Sequence, residues 1–479
     1  MENIVEELDP IFKPKSIAVI GASDTEGKWG FRMVERPLKT GYRGAIYPVN
    51  PTKDEILGLR SYRSVLDIPG HVDLAVVTVP AASTPQVMRE CTDKGVKGVV
   101  LISAGFAEVG SEGKALEDEV VRIARGGGIR VVGPNVMGIW SAAGQLNLCL
   151  RQLPKPGSIA FVSQSGTFGG YLSEIANAKG YGLSKFISIG NQADLTASEY
   201  LAYLAEDEET KAIVFYMEGF KDGRGFFQLA KEVIRKKPIV IHKGGSTHAG
   251  ARATLSHTAS LAGSKAVFEG MCRQAGLIRA EEALHSFEMA EALVGQPLPQ
   301  GRRIAIMGSG GQGVVTADAC ASLGLEVPEL DKKTMTDLEG ILPAHAPPAR
   351  NPVDFAAGYR TALEEMSVTE KLLSLDYIDG VITNVPVNPT FWGIKPASTG
   401  TTDPQTDAVK ATTKAARLFA SLPTKYSKPV VCVRFRRADG DRVVTILREA
   451  GIPVYDTPEQ CARAMYALVQ YAEARRDDP

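Results

Sequence analysis

The chain has 479 residues, 44% of them apolar and 23% charged, with a formal net charge of -1. That length and apolar content allow about three globular domains, and the even charge balance argues against nucleic acid or an anionic membrane as the main partner. Small anions stay open as ligands, because backbone amides bind them without net positive charge.

Cys91, Cys149, Cys272, Cys320, Cys432 and Cys461 are scattered, with no Cys-x-x-Cys pair and no histidine at ligand spacing. They are expected to be core thiols in a reducing compartment, and no metal site is expected. The first ten residues are acidic rather than basic-then-apolar, and no apolar run approaches the roughly 20 residues of a transmembrane helix. A cytoplasmic protein without a membrane partner is expected.

From Lys15 onward, short apolar runs alternate with longer amphipathic stretches, the pattern of an α/β protein with parallel sheets. Strands are expected at 16–20, 45–49, 74–79, 98–102 and 130–132, forming one doubly wound domain over residues 1–150. Ligands of such sheets sit beyond the carboxyl ends of the strands. There the chain places Gly21, Ser23 and Lys28, then Asn50, Pro51 and Lys53, then Ser103 and Gly105, then Gly133, Pro134 and Asn135. The first loop looks suited to a nucleotide phosphate, yet its glycines are spaced wider than Gly-x-Gly-x-x-Gly. Asn50 also stands where a dinucleotide enzyme usually has Asp or Glu for the ribose hydroxyls. A ribose-phosphate ligand other than NAD fits better, with Lys28 and Lys53 as candidate cationic contacts; a tight strand-to-helix turn with no ligand is the alternative.

A stiff polar junction, Pro154-Lys155-Pro156-Gly157, opens a second unit over 151–298 with strands expected at 158–162, 185–188, 212–217 and 238–242. Its first loop, Ser163-Gln164-Ser165-Gly166, passes from strand to helix through small residues and leaves helix N-terminal amides for an anion. The third strand ends in Glu218-Gly219, a carboxylate at the same sheet edge, for which a surface or capping acid is the plainer reading. After Lys243-Gly244-Gly245, the run Thr254-Leu255-Ser256-His257-Thr258-Ala259-Ser260-Leu261-Ala262-Gly263 carries one imidazole among small residues, before a helix expected at 264–274. His257 is open there to a bulky anion, or packs against backbone to support its loop.

A third unit, 299–479, follows Gln296-Pro297-Leu298-Pro299-Gln300-Gly301 and repeats the plan. A strand at 303–307 leads through Gly308-Ser309-Gly310-Gly311-Gln312-Gly313 into a helix at 314–323. Later strands are expected at 380–385, 429–434 and 453–455, with closing helices at 441–449 and 458–472. Residues 342–354 are too irregular to assign, and 399–406 read as an exposed connection. The three units share an architecture without a close internal sequence repeat.

Two glycine-led helix starts, a histidine on a small-residue loop and a carboxylate at a strand end suggest a phosphorylated histidine. Each helix N-terminus carries about half a positive charge, so two of them offset about one unit of phosphoryl charge while donating amide hydrogen bonds. The histidine must attack through a neutral nitrogen, and a carboxylate on its other nitrogen fixes the tautomer and stabilises the cationic phosphoimidazole. Glu218 is the candidate for that role; its convergence with His257 is not visible in sequence.

The motifs Val19-Ile20-Gly21-Ala22-Ser23, Tyr47-Pro48-Val49-Asn50-Pro51, Ile102-Ser103-Ala104-Gly105-Phe106, Gly133-Pro134-Asn135, Ser163-Gln164-Ser165-Gly166, Glu218-Gly219, Ser256-His257-Thr258 and Asn351-Pro352-Val353-Asp354 occur in one order and spacing. Together they resemble the ADP-forming acyl-CoA synthetases, relatives of succinyl-CoA synthetase. The resemblance implies an alpha-type chain, with a Rossmann-like CoA-binding domain followed by two flavodoxin-like, succinyl-CoA-synthetase-like ligase domains. It implies that acyl-CoA and phosphate give an acyl phosphate, that His257 takes the phosphoryl group with Glu218 orienting it, and that ADP then receives it. Ser163, Ser165 and Gly166, with Gly310, Gly311 and Gly313, match the two phosphoryl-holding loops. Gly21, Ser23, Lys28, Asn50, Pro51, Ser103, Gly105 and Asn135 fall in segments resembling the CoA site.

Three departures from the family pattern stand out. Val136 replaces a common Cys, Ala259 a usual Gly, and Gln312 a frequent Pro. None removes a charge or nucleophile, but they can reshape the acyl pocket or the histidine loop. The family's ATP-grasp domain has no counterpart in this chain, so the resemblance implies a separate ATP-grasp beta subunit, in an α2β2 assembly, binding ATP or ADP with Mg2+. The remaining partners are a small carboxylic acid or its acyl-CoA, and phosphate. A non-catalytic CoA-sensing or scaffold protein and a nicotinamide-linked oxidoreductase are the competing readings. Pockets separate acyl groups by only about 1–3 kcal/mol per methylene, so these motifs name a chemistry and not an acid.

Overall fold

The computed structural model describes residues 2–250, 252, 264–356, 362–386, 404–434 and 442–476. The chain forms two compact units, Met1–Phe287 and Glu288–Pro479. In the first, parallel strands β1 (Ser16–Ile20), β2 (Ala45–Val49), β3 (Leu74–Val77), β4 (Gly98–Leu101) and β5 (Arg130–Val132) lie in the order β2-β1-β3-β4-β5. Every residue of β1, β3 and β4 is buried, as a parallel sheet covered on both faces requires.

The same unit holds a seven-stranded sheet. Its strands are β6 (Ile139–Ser141), β7 (Leu146–Asn147), β8 (Pro156–Ser163), β9 (Leu183–Ser188), β10 (Ala212–Met217), β11 (Ile239–Lys243) and β12 (Ile278–Arg279), in the order β12-β11-β10-β8-β9-β6-β7. This sheet is mixed where a parallel one was expected, because β6 runs antiparallel to β9 and β7 antiparallel to β6. The two short strands precede residue 151 yet pair into the second sheet, and they cover the edge that β9 would otherwise expose.

The second unit carries β13 (Ile304–Gly308), β14 (Val353–Asp354), β15 (Gly380–Asn384), β16 (Val430–Val433) and β17 (Val454–Tyr455), all parallel, in the order β14-β13-β15-β16-β17. Numbered within each sheet, the parallel strands of all three follow one order, 2-1-3-4-5. That order reverses direction between strands 1 and 3, and ligands collect in the crevice beyond their carboxyl ends.

Expected elements differ from the structure mainly at their ends, by one to four residues. The glycines of 311–313 lie inside the first turn of the helix Gly311–Ser322, rather than before a helix at 314. Residues 404–406, expected as connection, begin the helix Pro404–Ala420, while 399–403 lie outside the described residues. The end of the unassigned stretch 342–354 pairs as β14. An N-terminal helix, Glu2–Phe12, was not anticipated. Its apolar residues Ile4, Val5, Leu8, Ile11 and Phe12 follow helical spacing; Phe12 stacks on Tyr203 at 4.7 Å, and the Tyr203 hydroxyl donates to Asp9 Oδ1 at 2.9 Å.

All six cysteines are buried and free. Burial pushes the thiols of Cys91, Cys272 and Cys320 up to about 12, which keeps them protonated and unreactive. Among the described residues no helix is long and apolar enough to cross a membrane.

Candidate functional site

The first crevice lies between the ends of β1 and β3. Gly21 has φ +88°, and a Cβ there would stand 2.7 Å from Thr78 Oγ1, so the turn after β1 rests against the turn after β3. A Cβ on Gly30 would stand 2.0 Å from the Gly21 carbonyl oxygen. The helix Trp29–Lys39, with Lys28 at its N-cap, is therefore seated directly on this turn.

Asn50 ties the crevice together from the end of β2. Its Nδ2 donates to the Ala22 carbonyl at 2.8 Å, and its Oδ1 accepts from the amides of Thr52 and Lys53 at 2.9 and 3.1 Å. An aspartate could not make the first of these bonds, which accounts for the amide where a dinucleotide site has an acid. Pro51 accepts a hydrogen bond from Arg63 through its carbonyl, and Ser23 Oγ accepts from the Thr25 amide at 3.0 Å. Lys53, expected as a cationic contact, pairs with Asp24 at 2.9 Å, and its hydrogen bond holds the Asp24 carboxyl below the usual range. The Ser103 hydroxyl donates to the Val79 carbonyl, and the Asn135 amide donates to the Ser103 carbonyl at 3.0 Å. Gly105 has φ +105°, and its amide donates to Glu108 Oε1 at 2.6 Å.

A loop after β9 joins the first crevice to the second sheet. The amides of Asn191 and Ala193 donate to the carbonyls of Pro134 and Gly133, each at 3.0 Å. Asn191 Nδ2 donates to Glu108 Oε2 at 2.6 Å and to Glu117 Oε2 at 3.0 Å. Burial would raise the Glu108 carboxyl, but the hydrogen bonds from Asn191 and Gly105 outweigh it and hold that pKa below its ordinary value. Asp194 is 1% exposed and accepts from Arg125 Nε at 2.8 Å, Arg130 Nε at 3.0 Å and the Val131 amide at 2.8 Å. Sequence reasoning passed over Asn191 and Asp194. Their signal was a polar Gly190-Asn191-Gln192-Ala193-Asp194 run directly after a buried strand.

The second crevice lies between β8 and β10, where Ser163 pairs with Tyr216. Gln164 holds its two sides together. Its amide donates to the Tyr216 carbonyl at 3.0 Å, and its Oε1 accepts from the amides of Glu218 at 2.8 Å and Gly219 at 3.0 Å. Lys243 Nζ donates to the Glu218 carbonyl at 3.4 Å and the Gly244 carbonyl at 3.2 Å, and burial lowers its pKa. The Tyr216 hydroxyl donates to Glu218 Oε1 at 3.5 Å; burial, then the Glu218 charge, push that phenol up to about 12. Glu218 is only 6% exposed, so its reading as a surface acid is corrected: a strand end, Gln164 and Lys243 fix its backbone inside the crevice.

Across from it, Ser165 caps the helix Gly166–Ala178, its Oγ accepting from the Phe168 amide at 3.4 Å, while the Ser163 hydroxyl donates to the Ser165 carbonyl at 2.7 Å. A Cβ on Gly166 would stand 2.4 Å from Met137 Cγ and 2.8 Å from Ser188 Oγ. Met137 follows Asn135 by two residues, so the last loop of the first sheet abuts the first helix start of the second. Buried Val136 fills that turn, against Gly133 and Gly190. Ser103, Asn135, Gly166 and Glu218 are thus linked by successive contacts within one unit. His257 and Ala259 lie outside the described residues.

The second unit builds its own glycine loop. Gly310 has φ +54° and precedes the helix Gly311–Ser322; its amide donates to Asp354 Oδ1 at 3.0 Å, which also accepts from the Ala356 amide at 2.7 Å. Asn351 Oδ1 accepts from the Ile306 amide at 2.9 Å, and its Nδ2 donates to the carbonyls of Ile304 and Pro328, each at 3.0 Å. The motif Asn351-Pro352-Val353-Asp354 is therefore scaffolding for this loop, with Pro352 closing on Gly313.

Three sheets whose parallel strands share one order, each with a loop of small and polar residues leading from its first strand into a helix, define an α/β protein of the doubly wound class. Residues 15–141 match the CoA binding domain family, and residues 156–293 match the succinyl-CoA ligase like flavodoxin domain. The chain is 41% identical to the acetate–CoA ligase [ADP-forming] II subunit alpha of Pyrococcus furiosus, over 97% of this chain and 98% of that one. It is 36% identical to acetate–CoA ligase [ADP-forming] II of Archaeoglobus fulgidus, over 98% of this chain and 68% of that protein. The solved apo form of a dinucleotide-forming acetyl-coenzyme A synthetase 1 from Ca. Korarchaeum cryptofilum superposes with a TM-score of 0.84 at 33% identity, covering 98% of each chain. The chain belongs to the ADP-forming acyl-CoA synthetase family, as an alpha-subunit-type member related to succinyl-CoA synthetase.

Proposed function

We propose that this chain is the phosphohistidine-bearing alpha subunit of an ADP-forming acyl-CoA synthetase, interconverting acid, CoA and ATP with acyl-CoA, ADP and phosphate. The observation that carries the reading is the Gln164 bridge, which fixes the Glu218 backbone against the Ser163-Gln164-Ser165-Gly166 helix start. Phosphate attacks the acyl carbon of acyl-CoA, releasing the thiol of CoA and forming an acyl phosphate. A neutral nitrogen of His257 then attacks phosphorus and the carboxylate leaves. Glu218 orients the imidazole and stabilises its cationic phosphorylated form. Ser163, Ser165 and Gly166 hold the phosphoryl group, with Gly310, Gly311 and Gly313 as the second holding loop. CoA lies on Gly21, Ser23, Lys28, Asn50, Pro51, Ser103, Gly105 and Asn135.

The working domains are 1–150 for CoA, 151–298 for the histidine loop and 299–479 for the second ligase domain. A separate ATP-grasp beta subunit supplies ADP or ATP with Mg2+, in an α2β2 assembly. The 41% identity to a Pyrococcus furiosus protein that is itself a subunit alpha supports a partner subunit.

Two expected outcomes test the assignments. Glu218→Gln, with the partner subunit and labelled ATP, is expected to cut the phosphoenzyme yield at least tenfold while calorimetric CoA affinity stays within about twofold, since removing one charge-assisted contact is worth ~1.5–3 kcal/mol. Equal loss of both would make Glu218 a structural residue. Asn50→Asp keeps the acceptors for Thr52 and Lys53 but loses the donor to Ala22, at a cost of about 1 kcal/mol. CoA affinity should fall about tenfold as the first turn loosens, and unchanged affinity would remove Asn50 from the CoA site.

A further inference from the structure

We infer that Asn384 binds the phosphoryl group held by the third sheet's glycine loop, a role that rests on the phosphoryl-holding reading of residues 310–313. Asn384 ends β15 and is 4% exposed, yet among the described residues neither its Nδ2 nor its Oδ1 has a hydrogen-bond partner. Its backbone is in the ladder, paired with Val433. On the other side, β15 pairs with β13 through Ile304↔Gly380, Ala305↔Val381 and Ile306↔Ile382. Two further steps of that register bring Asn384 opposite Gly308, where the glycine loop leaves the sheet.

The same point gathers a second unpartnered polar atom. Gln312 Oε1 is buried and has no hydrogen bond among the described residues, and it lies 3.7 Å from where a Cβ on Gly308 would stand. A buried amide with both halves unsatisfied costs stability unless a ligand completes it. The crevice beyond β13 and β15 is also where this strand order places ligands, and the start of the helix Gly311–Ser322 supplies a positive dipole there. An amide presents one donor and one acceptor side by side. A protonated phosphate matches both, accepting from Nδ2 through a P–O oxygen and donating to Oδ1 through P–OH, whereas a carboxylate satisfies only the donor.

Asn384→Leu separates this role from a structural one, because leucine of similar size leaves nothing unpaired. The variant is expected to melt at or above the wild-type temperature. Inorganic phosphate, which should raise the melting temperature of the wild-type full chain, should no longer do so, and KM for phosphate with the partner subunit present should rise at least tenfold. A lowered melting temperature with phosphate protection intact would assign Asn384 to the core and overturn the inference; so would wild-type values of protection and KM. If Asn384→Leu does not fold, Asn384→Asp, which repels phosphate, must abolish the protection, and retained protection overturns the inference. A wild-type chain that phosphate fails to protect overturns it as well. A chain that phosphate protects through Asn384 but that never carries label on His257 sinks the phosphohistidine reading and leaves this site standing.

Discussion

Replacing Gln164 with Leu is expected to destabilise the first unit by ~2–6 kcal/mol, because two buried amides lose their shared acceptor at ~1–3 kcal/mol each. Gln164 is 5% exposed, so water does not readily take over the amides of Glu218 and Gly219. The strand end carrying Glu218 would then be free to shift from the helix start at Gly166, and a displacement of about 1 Å is enough to cost about a hundredfold in rate. Gln164→Glu is the informative control. It retains an acceptor for both amides and should fold, but it places a second carboxylate beside Glu218 and should still lower phosphoenzyme formation. Denaturant midpoints measure the first effect and labelling the second. A Gln164→Leu variant within about 0.5 kcal/mol of wild type would show that the bridge does not hold the crevice together.

Asp194→Ala is expected to cost ~3–5 kcal/mol, the usual penalty for removing one partner of a buried charged network. Asp194 is 0% exposed at its side chain and Arg130 16%, so the Val131 amide and the Nε and Nη2 of Arg130 would lose their acceptor, while Arg130 Nη1 keeps Glu7 Oε1 at 2.7 Å. Arg125 is 61% exposed and can return to water, so its share of the loss is small. The loop bearing Asp194 also carries Asn191, which joins the Gly133-Pro134-Asn135 turn to the second sheet. Weaker CoA binding should therefore accompany the thermal loss. Asp194→Asn keeps one acceptor oxygen and loses the charge and the second acceptor, so it should fall between wild type and Ala. Thermal melts and CoA calorimetry on the three proteins check the order, and a wild-type melt for Asp194→Ala would contradict it.

The strands were legible because most are short, largely buried apolar runs between glycine-rich or polar loops. That pattern placed β1, β2, β5 and β10 to the residue, and it placed the loops at the sheet edges where Gly21, Ser163, Glu218 and Gly310 stand. Side-chain partnerships were not legible in the same way. Gln164 looked like a loop residue, and only the three-dimensional pairing of β8 with β10 reveals that its amide oxygen reaches Glu218 and Gly219. Asn50 was read for what it is not, an acid for ribose, whereas its donor to Ala22 explains what it is. The antiparallel strands β6 and β7 were missed because two or three residues carry too little periodicity to register. Asn384 gave no local signal, since a buried unpaired amide is defined by its surroundings alone.

In the proposed reaction His257 carries the phosphoryl group between this chain and a nucleotide-binding partner. The most direct measurement incubates the chain with its ATP-grasp subunit and γ-labelled ATP, then tests the alpha subunit for acid-labile, base-stable label, in wild type and in His257→Ala. Label on the wild-type chain that is discharged by acid plus CoA, and is absent from His257→Ala, is the predicted result. Label that persists in His257→Ala would contradict it.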